Sequence, residues 1–313
     1  MRILWVIPVM ILAAGCINQP GSVTIDKDNG ITITNFSADP YEVSYDDLIF
    51  ITMDIENVGG TKATEVEARL YGVEEIFRHT NGNIIHSVPE KNFGDMNAPN
   101  ELDNVPGESK TWTYTLLPPQ IPEGVTTTFT VTGRTTFKYH TTGTITIPAY
   151  SKTLYNAKLK QDEEVETVTN VDNTYAPIQI SLKKGTSPVL VDDTKNGTQE
   201  AIYIIQFQNV GNGYPVTEDV IGRMYGKITV SGLGVNFADC LGATSGNEVS
   251  INETNIDLVK LRSDGNVPVG CSISIDREKW SSTASGSILF NVDMNYKYYV
   301  DEDVNIKVHG KPR

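Results

Sequence analysis

At 313 residues the chain is long enough for two domains that each bury a core, and its 39% hydrophobic and 20% charged residues are ordinary for folded protein. The formal net charge of −14 argues against nucleic acid as a partner. Phosphate groups are recognised by clustered Lys and Arg, and the sequence has no basic cluster.

The first sixteen residues are typical of an export signal. Arg2 supplies one positive charge, residues 3–14 form an apolar run, and Gly15 precedes Cys16. The apolar run is shorter than the roughly 20 residues that cross a bilayer as a helix. Its end resembles a lipobox, in which a peptidase cuts before the cysteine and the thiol carries a diacylglycerol.

We therefore predict residues 1–16 as a signal peptide with its lipobox, Cys16 as the lipidated residue, and residues 17–29 as a tether. The mature protein is then expected on the extracellular face of the cell membrane, held there by its lipid. A plain cleaved signal peptide and an uncleaved anchor remain alternatives.

The remaining cysteines and three sequons fit an exported chain. Cys240 and Cys271 form an even pair, which in an exported protein is more often a disulfide than two free thiols. Metal binding is the weaker alternative, because no histidine or further cysteine stands at ligand spacing. Asn35, Asn196 and Asn252 begin Asn-x-Ser/Thr triplets and are candidate glycosylation sites.

The chain repeats itself in three places. Residues 51–59 (ITMDIENVG) return as residues 203–211 (YIIQFQNVG), residues 69–72 (RLYG) as 223–226 (RMYG), and residues 137–139 (FKY) as 296–298 (YKY). Three matches in the same order predict two copies of one β-domain. Each Asn-Val-Gly run ends a long strand, where glycine is expected to supply the positive φ of a turn.

Apolar and polar residues alternate with period two throughout, and no stretch keeps a helical period for three turns. The pattern predicts an all-β fold of two tandem immunoglobulin-like antiparallel β-sandwiches, at residues 30–160 and 176–313, with residues 161–175 as a linker. The alternation points the paired aromatic residues into a core rather than into a sugar-stacking platform. A Tyr-x-Tyr strand also allows a hydroxyl to bond the backbone at a corner.

Catalytic and metal-binding signatures are not found. His79, His86, His140 and His309 are dispersed, and the sequence lacks a nucleophile elbow, a phosphate-binding glycine loop and a zinc-protease helix. Residues 26–30 (DKDNG) are similar to the start of a calcium loop, but a turn explains them better, and calcium remains the alternative. We predict no catalytic residue, no metal ligand and no cofactor; an enzyme with an unrecognised site stays open.

Several motifs resemble those of CARDB-like and S-layer-associated immunoglobulin-like domains of archaeal surface proteins. They are residues 57–63 (NVGGTKA), residues 106–114 (PGESKTWTY), the Pro118-Pro119 pair, and the Phe-Lys-Tyr strand, with NVG and YKY kept in the second copy. The second copy lacks the Pro-Gly-x-x-x-x-Trp segment and gains the cysteine pair. The resemblance implies an extracellular scaffold or adhesion role and brings no catalytic residue.

The leading hypothesis is a surface lipoprotein that acts as a non-catalytic envelope scaffold or binding module. Its expected partners are the membrane, through Cys16, and envelope proteins or a polysaccharide, bound by loops at residues 77–107 and 236–266. The main alternative is a subunit of an extracellular filament or sheath, assembled by strand exchange between edge strands.

Overall fold

The computed structural model describes residues 23–262 and 265–310, and most of its regular structure is β-strand. The first half contributes β1 (Ile31–Asp39), β2 (Glu42–Ser44), β3 (Ile49–Asn57), β4 (Ala63–Tyr71), β5 (Lys91–Met96), β6 (Ser109–Leu116) and β7 (Thr126–Ser151). A helix, α1 (Lys152–Lys160), follows β7. The predicted all-β class is confirmed.

The second half begins after α1. Its strands are β8 (Asn170–Asn173), β9 (Ile178–Lys184), β10 (Val189–Val191), β11 (Thr198–Asn209), β12 (Tyr214–Thr217), β13 (Val220–Ile221), β14 (Tyr225–Ser231), β15 (Val235–Cys240), β16 (Glu248–Ile251), β17 (Asn266–Asp276) and β18 (Ser285–His309), with short 3-10 helices at Ile256–Leu258 and Arg277–Ser282. Within the described residues, no helix has both the length and the hydropathy needed to cross a membrane.

The described strands form three sheets. A large central sheet has the order β13-β12-β18-β7-β4-β5, with five further strands attached beside this path. Two smaller sheets, β1-β3-β6 and β15-β17-β11-β9, cover one face of the central sheet. The sheet β1-β3-β6 contacts the central sheet where Thr135 of β7 meets Met53 of β3. The sheet β15-β17-β11-β9 contacts it where the ring of Phe290 of β18 packs on Tyr203 of β11.

The two halves share the central sheet through β7 and β18. These strands, of 26 and 25 residues, pair antiparallel at every position from Ser285 to His309. The buried side chains accordingly form one connected cluster. The expectation that each half buries a separate core therefore needs correction, because a strand of this length runs beneath both small sheets. The domain bounds themselves stay a prediction.

The predicted linker, residues 161–175, is only partly a connection. It follows α1, and its last part contains β8, which pairs with residues 143–146 of β7. The end of the linker is thus a strand at the side of the central sheet, which ties the second half to the first.

The register of β7 and β18 relates the two sequence repeats by an approximate twofold axis. Lys138 lies opposite Lys297, with Phe137 opposite Tyr298 and Tyr139 opposite Tyr296. The FKY and YKY repeats match Phe137 to Tyr296 and Tyr139 to Tyr298, so of the three matched pairs only the two lysines lie opposite each other, at the axis. In both halves the strand that ends in Asn-Val-Gly lies at the centre of a small sheet, β3 between β1 and β6 and β11 between β9 and β17.

Both repeats build the same hydrogen-bonded corner from an asparagine and a tyrosine. The Oη of Tyr139 accepts from the backbone N of Thr61 at 3.1 Å, and the Oη of Tyr298 accepts from that of Gly213 at 3.0 Å. Asn57 Nδ2 donates to the carbonyl of Thr61, and Asn209 Nδ2 to that of Gly213. The predicted hydroxyl-to-backbone bond of the Tyr-x-Tyr strand is confirmed for Tyr298, and Tyr139 in the Phe-x-Tyr strand of the first half makes the same bond.

The glycine of each Asn-Val-Gly run makes room for this corner. A Cβ on Gly59 would collide with the Oη of Tyr139, and one on Gly211 would lie 2.7 Å from the Oη of Tyr298. Neither glycine is among the residues with positive φ. The expectation of a positive φ was wrong, because close approach of the tyrosine, not turn geometry, excludes a side chain here.

We expect Tyr298→Phe to lower the free energy of unfolding by about 1–3 kcal/mol, because its buried hydroxyl accepts from Gly213 N and donates to Asn209 Oδ1. Equilibrium urea unfolding measures the loss. Tyr41→Phe is the control, since the Tyr41 side chain is 65% exposed, and it should change the free energy by less than about 0.5 kcal/mol. Equal stability of Tyr298→Phe and the wild type would show that the corner does not hold the fold.

Candidate functional site

The uncovered face of the central sheet carries a concave site, which we call the central groove. Its floor is formed by Thr136 and Lys138 of β7 and Asn295 and Lys297 of β18, and its volume is about 1030 Å³. Successive strand residues point to opposite faces. Burial of Phe137 and Tyr139 against the small sheets therefore places their neighbours on the groove side.

Opposite walls of the groove come from different halves of the chain. One wall is β4 with Glu67, Arg69 and Tyr71, and the other is the β12–β13 hairpin and the start of β14 with Tyr225. β4 pairs with β7 from Thr64 to Tyr71, whereas the matching edge of β18 is divided between β12 and β14. β13 follows β12 in the chain before β14 begins and pairs with β12, so this wall has a hairpin that the first half lacks.

An arginine between two aromatic rings fixes one end of the groove. Arg134 Nε and Nη2 each donate to the carboxylate of Asp301 at 2.7 Å, a bidentate pair across β7 and β18. Its guanidinium lies 3.9 Å from the ring centroid of Tyr299 and 5.1 Å from that of Tyr71. The hydrogen bond to Asp301 raises the pKa of Arg134. Both rings are thereby held against a permanently charged group.

Two lysines meet on the groove floor. Lys138 and Lys297 lie directly opposite each other in the register, and their side chains are 53% and 44% exposed. Lys138 Nζ lies 2.6 Å from Glu65 Oε1, and Lys297 Nζ lies 3.9 Å from Glu67 Oε2. Like charges directly opposite on a sheet are destabilising, so the fold alone gives no reason for this pair.

Backbone strain occurs on both walls. Glu65, at an irregularity in the β4 register, has φ +50°, and Glu218 and Asp219 at the tip of the β12–β13 hairpin have φ +51° and +60°. The left-handed region is uncommon for residues other than glycine and is enriched at functional sites. Glu218 accepts from Tyr225 Oη at 3.1 Å, and desolvation together with this hydrogen bond raises the pKa of Tyr225.

The groove is richer in cations than the rest of the chain. Its lining includes five Lys or Arg residues against four Asp or Glu residues, whereas the whole chain has 25 against 39. Among residues 23–262 and 265–310, no three His, Cys, Asp or Glu side chains are grouped so that they could hold a metal ion. The groove therefore offers paired donors, acceptors and aromatic rings rather than a metal centre.

The three predicted glycosylation sites, Asn35, Asn196 and Asn252, are not among the residues that line the groove. Cys16, the signal peptide and most of the tether lie outside the described residues. Asn35 is exposed on β1, but its Nδ2 donates to Asp54 Oδ2 at 2.9 Å, and hydrogen bonds from Thr111 and Asn35 lower the pKa of Asp54. Asn196 and Asn252 are exposed in turns.

The histidines and the DKDNG segment also lie apart from one another. His86 pairs with Glu75, and His140, which lines the groove, pairs with Asp293. Asp26 Oδ1 accepts from the backbone N of Asp28 and Asn29, which forms the turn predicted before β1. The stretches expected as binding loops, residues 77–107 and 236–266, contain strands β5, β15 and β16.

One set of side chains has the order of a catalytic triad. Thr126 Oγ1 lies 2.9 Å from His309 Nδ1, and His309 Nε2 lies 2.6 Å from Glu42 Oε1. Glu42 also accepts from Lys307 Nζ at 3.0 Å, and hydrogen bonds from Lys307 and His309 lower its pKa. The set lies at exposed strand ends outside the groove, so we interpret it as a surface network that joins β2 to β18.

Sequence reasoning missed the groove, although two signals were present. The Arg-x-Tyr-Gly repeats place Tyr71 and Tyr225 on opposite walls, but they are not equivalent in the fold: the first ends β4 and the second begins β14. The second signal is Lys138 itself, which interrupts a row of outward threonines on β7. Neither shows by itself that β7 and β18 are neighbours.

No protein-family model and no curated protein matches the chain. Among solved structures, it is similar to a protein of unknown function from Porphyromonas gingivalis W83, with 9% identity, 81% of this chain and 86% of that chain covered, and a TM-score of 0.21. It is also similar to red sea bream transglutaminase, with 12% identity, 90% and 32% covered, and a TM-score of 0.19. Similarity this distant assigns no function.

The predicted disulfide between Cys240 and Cys271 is present and joins neighbouring positions of β15 and β17. We expect the double variant Cys240→Ser/Cys271→Ser to lose about 3–4 kcal/mol of unfolding free energy, because the bond closes a loop of 31 residues. Urea unfolding with and without reductant measures this loss. Reductant should destabilise the wild type and leave the variant unchanged; an unchanged wild type would contradict the expectation.

We expect Arg134→Gln to lower the unfolding free energy by about 1–2 kcal/mol, since it removes two charge-assisted hydrogen bonds and the cation between Tyr71 and Tyr299. Arg223→Gln is the matched control, because Arg223 makes the same bidentate contact with an Asp257 side chain that is 63% exposed. Urea unfolding should show the smaller loss for the control. Equal losses would mean that the two rings add nothing to the Arg134 contact.

Proposed function

We propose that this chain is an exported surface protein, anchored by a lipid on Cys16, whose central groove binds a partner without catalysing a reaction. The observation that carries the proposal is the groove itself. Both repeats contribute its floor, and its aromatic end is fixed by the Arg134–Asp301 pair. Concave sites with a few oriented polar groups and aromatic side chains are where ligands usually bind.

Export is supported by two independent features. The first is the leader at residues 1–16, with its apolar run and Cys16. The second is the Cys240–Cys271 disulfide, because such bonds persist mainly outside the reducing cytosol. A non-catalytic role accords with the exposed position of the Thr126, His309 and Glu42 set, away from the groove.

A second candidate function is a filament or sheath subunit assembled by strand pairing. It is favoured by β6, which is the last strand of the sheet β1-β3-β6 and leaves one backbone edge for a strand of another chain. Negative-stain microscopy of the purified full chain separates the two functions. Discrete particles are expected from the binding protein, and regular fibres would favour the filament.

We expect the mature protein to begin at a diacylated Cys16 and to remain with the membrane fraction, and Cys16→Ser to abolish lipidation and release the chain from that fraction. Mass spectrometry of the N-terminus and cell fractionation measure the two effects. Ser22→Ala in the tether is the control and should behave as the wild type. An intact Met1, or membrane retention of Cys16→Ser, would contradict the lipid anchor.

A further inference from the structure

Lys138, one of the two floor lysines, departs from the residue pattern of its own strand, β7. Outward positions of β7 are mostly threonine, as at Thr128, Thr130, Thr132, Thr136, Thr142 and Thr144, which favours strand without adding charge. Arg134, Lys138 and His140 interrupt that pattern; Arg134 faces Asp301 and His140 faces Asn295, whereas Lys138 faces a residue of like charge, Lys297. A like-charged pair at the centre of a concave face is suited to binding anions.

Several hydrogen-bond donors on the cationic side chains of the groove are only weakly paired or have no partner. The ion pairs of Lys138 with Glu65 and of Lys297 with Glu67 join side chains that are about a third to three-fifths exposed, and such pairs contribute little. The ion pairs of Arg69 are long, with 3.4 Å from Nη2 to Glu74 Oε1 and 3.7 Å from Nη1 to Glu90 Oε1. Its buried Nε has no hydrogen-bond partner among the described residues. All three cations line the groove.

The acidity of the whole chain does not oppose an anionic ligand at this site. Charges more than about 8 Å apart in water are largely screened at physiological ionic strength, so the local balance decides. The groove lining has five cationic side chains against four carboxylates, and Glu65, Glu74, Asp95 and Asp301 pair with these cations from beside it. An anionic ligand therefore binds by replacing the exposed partners of the two floor lysines, Glu65 and Glu67, whose ion pairs contribute little.

The shape and the rings of the groove favour a sugar over a peptide. Tyr71 and Tyr225 lie on opposite walls, and aromatic faces pack against apolar faces of pyranose rings. The Tyr71 ring is positioned by the guanidinium groups of Arg69 and Arg134, and the Tyr225 ring by the hydrogen bond from its hydroxyl to Glu218. The backbone hydrogen bonds of the floor are used by the β7–β18 pairing. An extended peptide therefore finds no free strand edge there to add to.

We propose that the central groove binds an acidic oligosaccharide, with Lys138 and Lys297 holding its carboxylate or sulfate groups and Tyr71 and Tyr225 contacting its rings. The proposal rests on the binding function proposed above for the same groove and names its ligand class. Binding of an anionic ligand gives a function to the two lysines that lie opposite each other on the floor.

The test is calorimetric titration of the full chain, in detergent and at low salt, with an oligogalacturonate and with a sulfated galactan oligosaccharide. We expect at least one of the two acidic sugars to bind. The neutral form of that sugar, carboxyl-reduced or desulfated, should not bind. Lys138→Gln/Lys297→Gln should weaken binding about tenfold or more, since charge-assisted hydrogen bonds are the strong ones. Its urea midpoint should not fall, because a like-charged pair is removed.

Lys110→Gln/Lys307→Gln is the matched control, with the same change of charge at strand lysines that are 37% and 45% exposed outside the groove, and should bind within about twofold of the wild type. The proposal is overturned by no binding of either acidic sugar, by equal weakening in both double variants, or by equally tight binding of poly-glutamate, which would indicate an acidic peptide ligand. None of these results affects the lipid anchor, which the Cys16 experiment tests separately.

Discussion

The pairing of β7 with β18 is the interaction on which the rest of the structure depends. It is continuous over 25 positions, joins strands from opposite halves of the sequence, and has the Lys138–Lys297 pair at its approximate twofold axis. One face of this ribbon is the base of a core shared by both small sheets. The other face is the floor of the central groove, so fold and candidate site follow from one set of backbone hydrogen bonds.

Period two along these strands separates core residues from residues that line the groove. Tyr139 and Tyr298 point inward and close the two corners through their hydroxyls, while Lys138 and Lys297, their immediate neighbours in sequence, point outward. Burial raises the pKa of Tyr298, so its hydroxyl stays protonated and can donate to Asn209. The inward tyrosines thus fix the strand positions that determine where the outward lysines lie.

The sequence predicted the parts of the fold that depend on local pattern. Alternation identified the β class and the burial of Phe137, Tyr139, Tyr296 and Tyr298, whereas Trp112 and Tyr114, expected in the core by the same pattern, are only partly buried against it. The cysteine pair and the Tyr-x-Tyr corner were predicted from residue types and spacing. The shared sheet was not predictable in this way, because alternation tells which face of a strand is buried but not its neighbour. Glycines inside β7 also resemble turn signals: Gly143 is needed because a Cβ there would lie 2.9 Å from Ile180 of the covering sheet.

The candidate site depends on the same pairing between the two halves, which local pattern does not reveal. Lys138 and Lys297 are 159 positions apart, and only the cross-half pairing brings them together. An occupant of the groove contacts floor residues of both halves, so it binds the paired state and not a state in which β7 and β18 have separated. Binding to one state of an equilibrium stabilises that state. Occupancy of the groove by the proposed ligand would therefore strengthen the association of the two repeats and couple its binding to the integrity of the central sheet.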